Sequence, residues 1–90
     1  MKPIRWTAHA LKEAKRRNID SAEASRTILN PEQVAPGNPP RQIYMRRYFD
    51  ELLLTEMLLR VIIEETDEEL VVVTLYKTSK LAKYLQQENL

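Results

Sequence analysis

Apolar positions recur at helical spacing near the start of the chain and alternate at strand spacing through its second half. From Thr7 to Arg17 the pattern predicts a helix, with Ala8, Leu11 and Ala14 on one side and His9, Lys12, Glu13 and Arg16 roughly opposite. The Thr7 hydroxyl is placed to accept from a first-turn N–H, and Asn18 tolerates the left-handed conformation that ends a helix. Asp20 followed by Glu23 then reads as a capping box for a second helix to Leu29, with Ile19 and Ala24 as its hydrophobic staple. Asn30-Pro31 stops that helix, because the residue before proline avoids the α region.

Four of the five prolines and the only glycine fall between Pro31 and Arg41, which predicts an irregular connector with a short edge strand at Gln33–Ala35. From Gln42 to Phe49 the chain alternates, with Ile43, Met45 and Phe49 on the face taken for the core and Tyr44, Arg46 and Tyr48 facing outward. A turn at Asp50–Leu53 leads to two β-rich runs, Thr55–Glu65 and Leu70–Lys77, joined by the acidic loop Thr66–Glu69. Direct pairing across that loop puts Leu59, Val61 and Ile63 with Val72, Thr74 and Tyr76, and Leu58, Arg60 and Ile62 with Val71, Val73 and Leu75. A single bulge swaps these partners, while both faces stay apolar either way. Thr78 or Ser79 caps a short C-terminal helix in which Leu81, Tyr84 and Leu85 share a side. The fold expected is therefore α+β: two N-terminal helices on one face of a three- or four-stranded antiparallel sheet. The second face needs a cover from the C-terminal segment, a second copy of the chain in a homodimer, or another protein.

Ninety residues suffice for one domain, residues 1–90, burying roughly 60–65% of the surface exposed by the unfolded chain. With no cysteine there is no disulfide framework, thiol nucleophile or thiolate metal site, and a lone histidine builds no zinc site. A single glycine excludes phosphate-cradling glycine loops and dinucleotide fingerprints, so no cofactor is expected. Apolar runs fall far short of the ~20 residues of a membrane span, and the first residues lack a signal-peptide apolar region. No membrane association and a cytoplasmic location are the expectation. The net charge of +1 hides an asymmetry: residues 1–30 hold seven Lys and Arg against three acids, residues 51–70 one Arg against seven acids.

Four features carry candidate chemistry. Tyr44 and Tyr48 flank Arg46 on one strand face, a strip that suits single-stranded RNA through ring stacking and a guanidinium–phosphate contact; its plain alternative is a half-exposed strand face. Arg60 puts a charge mid-strand, where desolvation demands either an anionic ligand or an internal pair with one of the many Glu residues. Tyr76, Lys77, Thr78, Ser79 and Lys80 crowd hydroxyls and ammoniums at a strand end, suited to phosphate or to a solvated helix cap. His9 is the default general acid or base, and Glu64, Glu65, Asp67, Glu68 and Glu69 read as a solvated hairpin tip and not as a metal site.

Arg5-Trp6-Thr7-Ala8-His9-Ala10-Leu11, Asn30-Pro31, Arg46-Arg47-Tyr48-Phe49, Leu59-Arg60-Val61 and Val73 to Lys80 together resemble a family of small bacterial domains of unassigned function grouped with the RelE/ParE-type toxin superfamily and similar to the BrnT toxins. That resemblance implies helices packed on one face of a twisted antiparallel sheet. It also implies a metal-independent endoribonuclease, the toxin component of a toxin-antitoxin module or a descendant of one, acting on free or ribosome-bound RNA beside an antitoxin partner. Arg46 and Arg60 would then stabilise the phosphorane, Tyr76 or His9 would handle protons, and Lys77 and Lys80 would hold the RNA backbone. The rival reading is a non-catalytic interaction domain docking a partner on the second sheet face through Ile62, Val71 and Val73. Arg60 paired to a Glu, with Tyr44 and Tyr76 both beneath the helices, would leave no place for an anion.

Overall fold

The structure, a computed structural model, describes residues 1–85. In chain order it contains β1 (Ile4–Trp6), α1 (Ala8–Arg16), α2 (Ser21–Leu29), β2 (Gln33–Pro36), β3 (Arg41–Asp50), β4 (Thr55–Glu65), β5 (Leu70–Thr78) and α3 (Leu81–Tyr84). The strands form one sheet in the order β1-β5-β4-β3-β2, in which β1 runs parallel to β5 and every other neighbour is antiparallel. This corrects the expected fold class: the sheet is five-stranded and mixed, with three short helices, not an antiparallel sheet of three or four strands under two N-terminal helices.

The fifth strand comes from a segment too short to declare itself. Ile4, Arg5 and Trp6 align with Leu70, Val71 and Val72, and Lys2 and Arg5 reach Glu65 and Glu69 at 2.6 and 2.7 Å. Part of the acidic hairpin is thus tied to the N-terminus instead of standing free in solvent. Thr7 then changes the chain's direction. Its N–H and hydroxyl both donate to the Val72 carbonyl, and the same hydroxyl oxygen accepts from Ala10 N at 3.0 Å, so one residue closes β1 and caps α1.

α1 is rotated from the expected phase: Ala10, Glu13 and Ala14 face inward, while Ala8 and Leu11 are exposed. Small alanines let the helix sit close on the sheet, and the inward carboxylate of Glu13 is neutralised by Arg16 and Arg17 at 2.6 and 2.9 Å. Asn18 adopts φ 54°, the left-handed end of α1, and the Asp20 carboxylate accepts from Ala22 N to cap α2. Ile19 and Ala24 both enter the core.

That core lies between the helices and one sheet face: Ala10, Ala14, Ile19, Ala24 and Ile28 meet Leu59, Val61, Ile63, Leu70, Val72 and Leu75. Each fully buried Leu, Ile or Val here stabilises the fold by roughly 1.5–3 kcal/mol relative to exposure. Two features of the sheet decide which side chains reach the other face. Tyr44 stands opposite Val61 and Arg46 opposite Leu59, so both point toward the helices, inverting the expected parity of β3. In the β4–β5 hairpin, Ile63 pairs with Val72 but Ile62 pairs with Thr74, and Val73 is the extra residue of a bulge. Beyond it Leu75 and Lys77 turn to the helix side, and Tyr76 comes to stand opposite Arg60. Among the described residues, no helix is long and apolar enough to cross a membrane.

Candidate functional site

The bulge assembles a constellation that combines a guanidinium with phenols on the face away from α1 and α2. Arg60 lies mid-β4 on the face away from α1 and α2, half-buried, between Met45 of β3 and Tyr76 of β5. Its Nε–H meets the Met45 sulfur at 3.4 Å, and its Nη1 donates to the Tyr76 hydroxyl. The guanidinium carbon sits 5.4 Å from the Tyr76 ring centroid and 3.9 Å from that of Tyr84, which α3 brings over it. Every described ion pair leaves Arg60 out, so no carboxylate among the described residues neutralises its charge.

Such a cation is a poor structural element and a good anion receptor. Sulfur and phenol oxygen are weaker partners for a guanidinium than a carboxylate, while the two ring faces lend cation–π attraction without cancelling the charge. Nη2 has no protein acceptor among the described residues, and the half-buried Arg60 is not a buried orphan, so this N–H group retains donor capacity. Around Tyr84, burial pushes the phenol up, but Lys83, Tyr76 and the Arg60 charge outweigh it and the net shift is downward. The site therefore gathers positive potential.

Other expected site residues are dispersed. His9 is exposed on α1, on the opposite side of the sheet from Arg60. Arg46 donates to the Asn30 carbonyl at the end of α2, at 3.0 Å, and also lies on the helix side. Neither can share a phosphate with Arg60. Tyr44 and Tyr48 pack against the core, and Tyr48 donates to Asp50 at 3.2 Å, its phenol pushed up chiefly by burial. The Tyr44–Arg46–Tyr48 strip is not an outward surface.

Lys77 is locked at 2.6 Å to Asp50, with the two side chains 12% and 5% exposed, and also donates to the Asn18 carbonyl. Its ammonium is thus held on the helix side, away from the Arg60 face. Thr78 accepts from Lys80 N through its hydroxyl, and the N-cap position of α3 is Lys80, which makes no side-chain cap, so neither Thr78 nor Ser79 plays the expected capping part. Lys80 stays exposed. On the second sheet face Val71 is buried, as are Met45 and Leu58, and only Ile62 and Val73 of the expected partner residues are half-buried. Large exposed apolar side chains cluster instead at the β3–β4 turn, where Leu52, Leu53 and Leu54 are 73%, 53% and 74% exposed.

Tyr84 was the group that sequence reasoning placed only as a cover for apolar surface, because helical spacing shows which residues share a side but not what the side meets. A separate cavity of about 350 Å³ opens near Asp20, Glu23, Asp50 and Glu51. Its acidic lining has the wrong sign for a polyanion. Among the described residues no group of three or more His, Asp or Glu is placed to hold a metal ion.

Comparison with known proteins gives one family model, described as Domain of unknown function (DUF4258), matching residues 6–77. The span takes in Arg60 and Tyr76 and ends before α3. No curated protein and no solved structure matches the chain.

Proposed function

We propose that this chain, which belongs to the family of Domain of unknown function (DUF4258), acts on single-stranded RNA as a RelE/ParE-like, BrnT-like toxin component or a descendant of one, a metal-independent endoribonuclease. The observation that supports this reading is Arg60, held on an accessible sheet face by Tyr76, Tyr84 and Met45 and by no described carboxylate. The sequence motifs that resemble the toxin superfamily supply the reaction class.

In that reaction the RNA 2′-oxygen, its proton lost to solvent base, attacks the adjacent phosphorus. Charge builds on the non-bridging oxygens, where the Nη2 edge of Arg60 donates hydrogen bonds. Tyr76 accepts from Arg60 with its oxygen and keeps its own O–H, which in the free protein is directed to the Tyr84 phenol and in the reaction turns to protonate the leaving 5′-oxygen. A 2′,3′-cyclic phosphate results, and solvent returns the proton to Tyr76. His9 and Arg46 have no part, being on the other side of the sheet.

The decisive experiment is cleavage of single-stranded and ribosome-bound RNA by the purified protein in excess chelator. Arg60→Ala should lower the rate on the order of 10²- to 10³-fold, and Tyr76→Phe on the order of 10²-fold or more, with circular dichroism unchanged. Arg60→Lys should restore little, because a point charge lacks the planar fork. Absence of cleavage together with absence of growth arrest on induction in a bacterial host would discard the reading.

The non-catalytic alternative has its own observation. Leucines at Leu52, Leu53 and Leu54 have no solvation reason to be exposed together, and they suit a protein partner such as an antitoxin. Charging the tip with Leu53→Glu would abolish a complex made there, while leaving RNA cleavage intact.

A further inference from the structure

We propose that Tyr84 is the specificity element of the Arg60 site: an unpaired base stacks on the outer face of its ring while the adjoining phosphate sits on the Nη2 edge of Arg60. The inference rests on the RNA reading for its ligand class but needs no catalysis. Its ligand is a single-stranded nucleotide, with base and phosphate recognised together.

Three observations converge on it. First, the Tyr84 ring centroid lies 3.9 Å from the guanidinium carbon, a stacking distance, so the inner ring face is already occupied. Tyr84 is nonetheless only half-buried, so part of its surface stays exposed beside the Arg60 contact, and the second planar group lands there. Second, the ring is held from several directions: Arg60 lies beneath it, and Lys83 Nζ is 5.2 Å from its centroid. A platform fixed in this way loses little side-chain freedom when a base lands on it.

Third, α3 has little internal support among the described residues. It is one turn long, starts without a side-chain cap and contains no buried residue. The guanidinium therefore anchors Tyr84 together with the Tyr76 hydroxyl and Lys83, and Arg60 and Tyr84 act as one stacked unit. A base continues that stack, and its phosphate meets the only guanidinium on the face without a described carboxylate partner. The aromatic strip expected at Tyr44 and Tyr48 is beneath the helices, so Tyr84 takes over the stacking role on the opposite face.

Fluorescence anisotropy with a labelled 2′-O-methyl RNA oligomer, which binds but cannot be cut, tests this against an abasic oligomer of equal length and charge. Wild type should prefer the base-bearing strand. Tyr84→Leu should weaken binding of that strand by about 5- to 150-fold, the range for loss of one stacked base, and leave the abasic strand unchanged. Tyr84→Trp should keep or improve the preference. Equal binding of the two strands by wild type, no binding at all, or tighter binding by Tyr84→Leu, as a mere cover over Arg60 would give, overturns the proposal. Tyr84-dependent binding without cleavage of ordinary RNA removes the ribonuclease reading and keeps the stack. Cleavage that is indifferent to Tyr84 does the reverse.

Discussion

Replacing Lys77 with Met should cost the fold about 3 kcal/mol or more, although Lys77 lies in a segment whose composition suggests phosphate binding. Its ammonium is 2.6 Å from Asp50, with side chains 12% and 5% exposed. At an effective dielectric of about 20 the attraction at that separation is about 6 kcal/mol before desolvation is counted. Asp50 keeps other partners when Lys77 is gone: the Leu52 and Leu53 N–H groups at 3.0 Å and the Tyr48 hydroxyl at 3.2 Å. Those donors offset part of the loss, which places the effect at the lower end of the ~3–5 kcal/mol typical of breaking a buried pair.

For a domain of this size, 3 kcal/mol corresponds to a fall in Tm of about 12–24 °C. Urea denaturation followed by circular dichroism should show a lower midpoint at unchanged slope. A double-mutant cycle with Asp50→Asn isolates the pair, because Asn keeps an acceptor for the turn but not the charge. The coupling should be on the order of 1–3 kcal/mol. Below the melting range, Lys77→Met should bind RNA as wild type does, since its ammonium is on the helix side. A loss under about 1 kcal/mol, additivity in the cycle, or a specific loss of RNA affinity would each refute this reasoning.

Glu13, hydrogen-bonded first by Arg16 and then by Arg17 against the cost of its burial, has its pKa lowered from 4.5 to about 2. Its stabilisation is thus complete above pH 4.5 and is lost as pH falls toward 2; Tm against pH for Glu13→Gln should converge on wild type across that window, and parallel curves would contradict the assignment. Leu54, at φ 55° and 74% exposed, occupies a conformation unfavourable to a side chain with a Cβ. Leu54→Asn should raise stability by about 0.5–1 kcal/mol in urea melts, and a lower midpoint would show that the tip is held by packing instead. Deleting Val73 should turn the bulge into a regular ladder that keeps Ile62 opposite Thr74 and Tyr76 opposite Arg60, so RNA binding should survive; its loss in a folded deletion variant would show that the bulge itself, and not the register beyond it, places the phenol.

What the residues reveal by themselves is local chemistry. The Thr7 and Asp20 caps, the left-handed Asn18 and the Ile19–Ala24 staple each depend on neighbours within a few positions, and each can be read from side-chain hydrogen bonding and backbone preference alone. Pairing over long separations is different. Ile4–Trp6 is three residues long and its parallel partner begins at Leu70, so no periodicity in either segment announces the contact. The parity of β3 differs for a related reason: Tyr44 and Tyr48 look like surface residues, but two short helices rich in small side chains leave space above β3, and half-buried aromatic rings complete the core there while the Tyr48 hydroxyl reaches Asp50.

The site depends on the subtlest of these features. With direct pairing, the residue opposite Arg60 is Leu75, and a guanidinium there faces only apolar side chains on β5. One extra residue, Val73, shifts the register after Ile62 by a single place, exchanging Leu75 for Tyr76 on that face. The same step moves Leu75 into the core and Lys77 to Asp50, so one irregularity completes the packing, forms the buried ion pair and supplies the phenol beside Arg60. A bulge leaves no mark in a run of β-branched residues, since Val71, Val72 and Val73 suit either face. Apolar character on both sides of the hairpin was therefore visible from composition, whereas the chemistry of the face had to wait for the register.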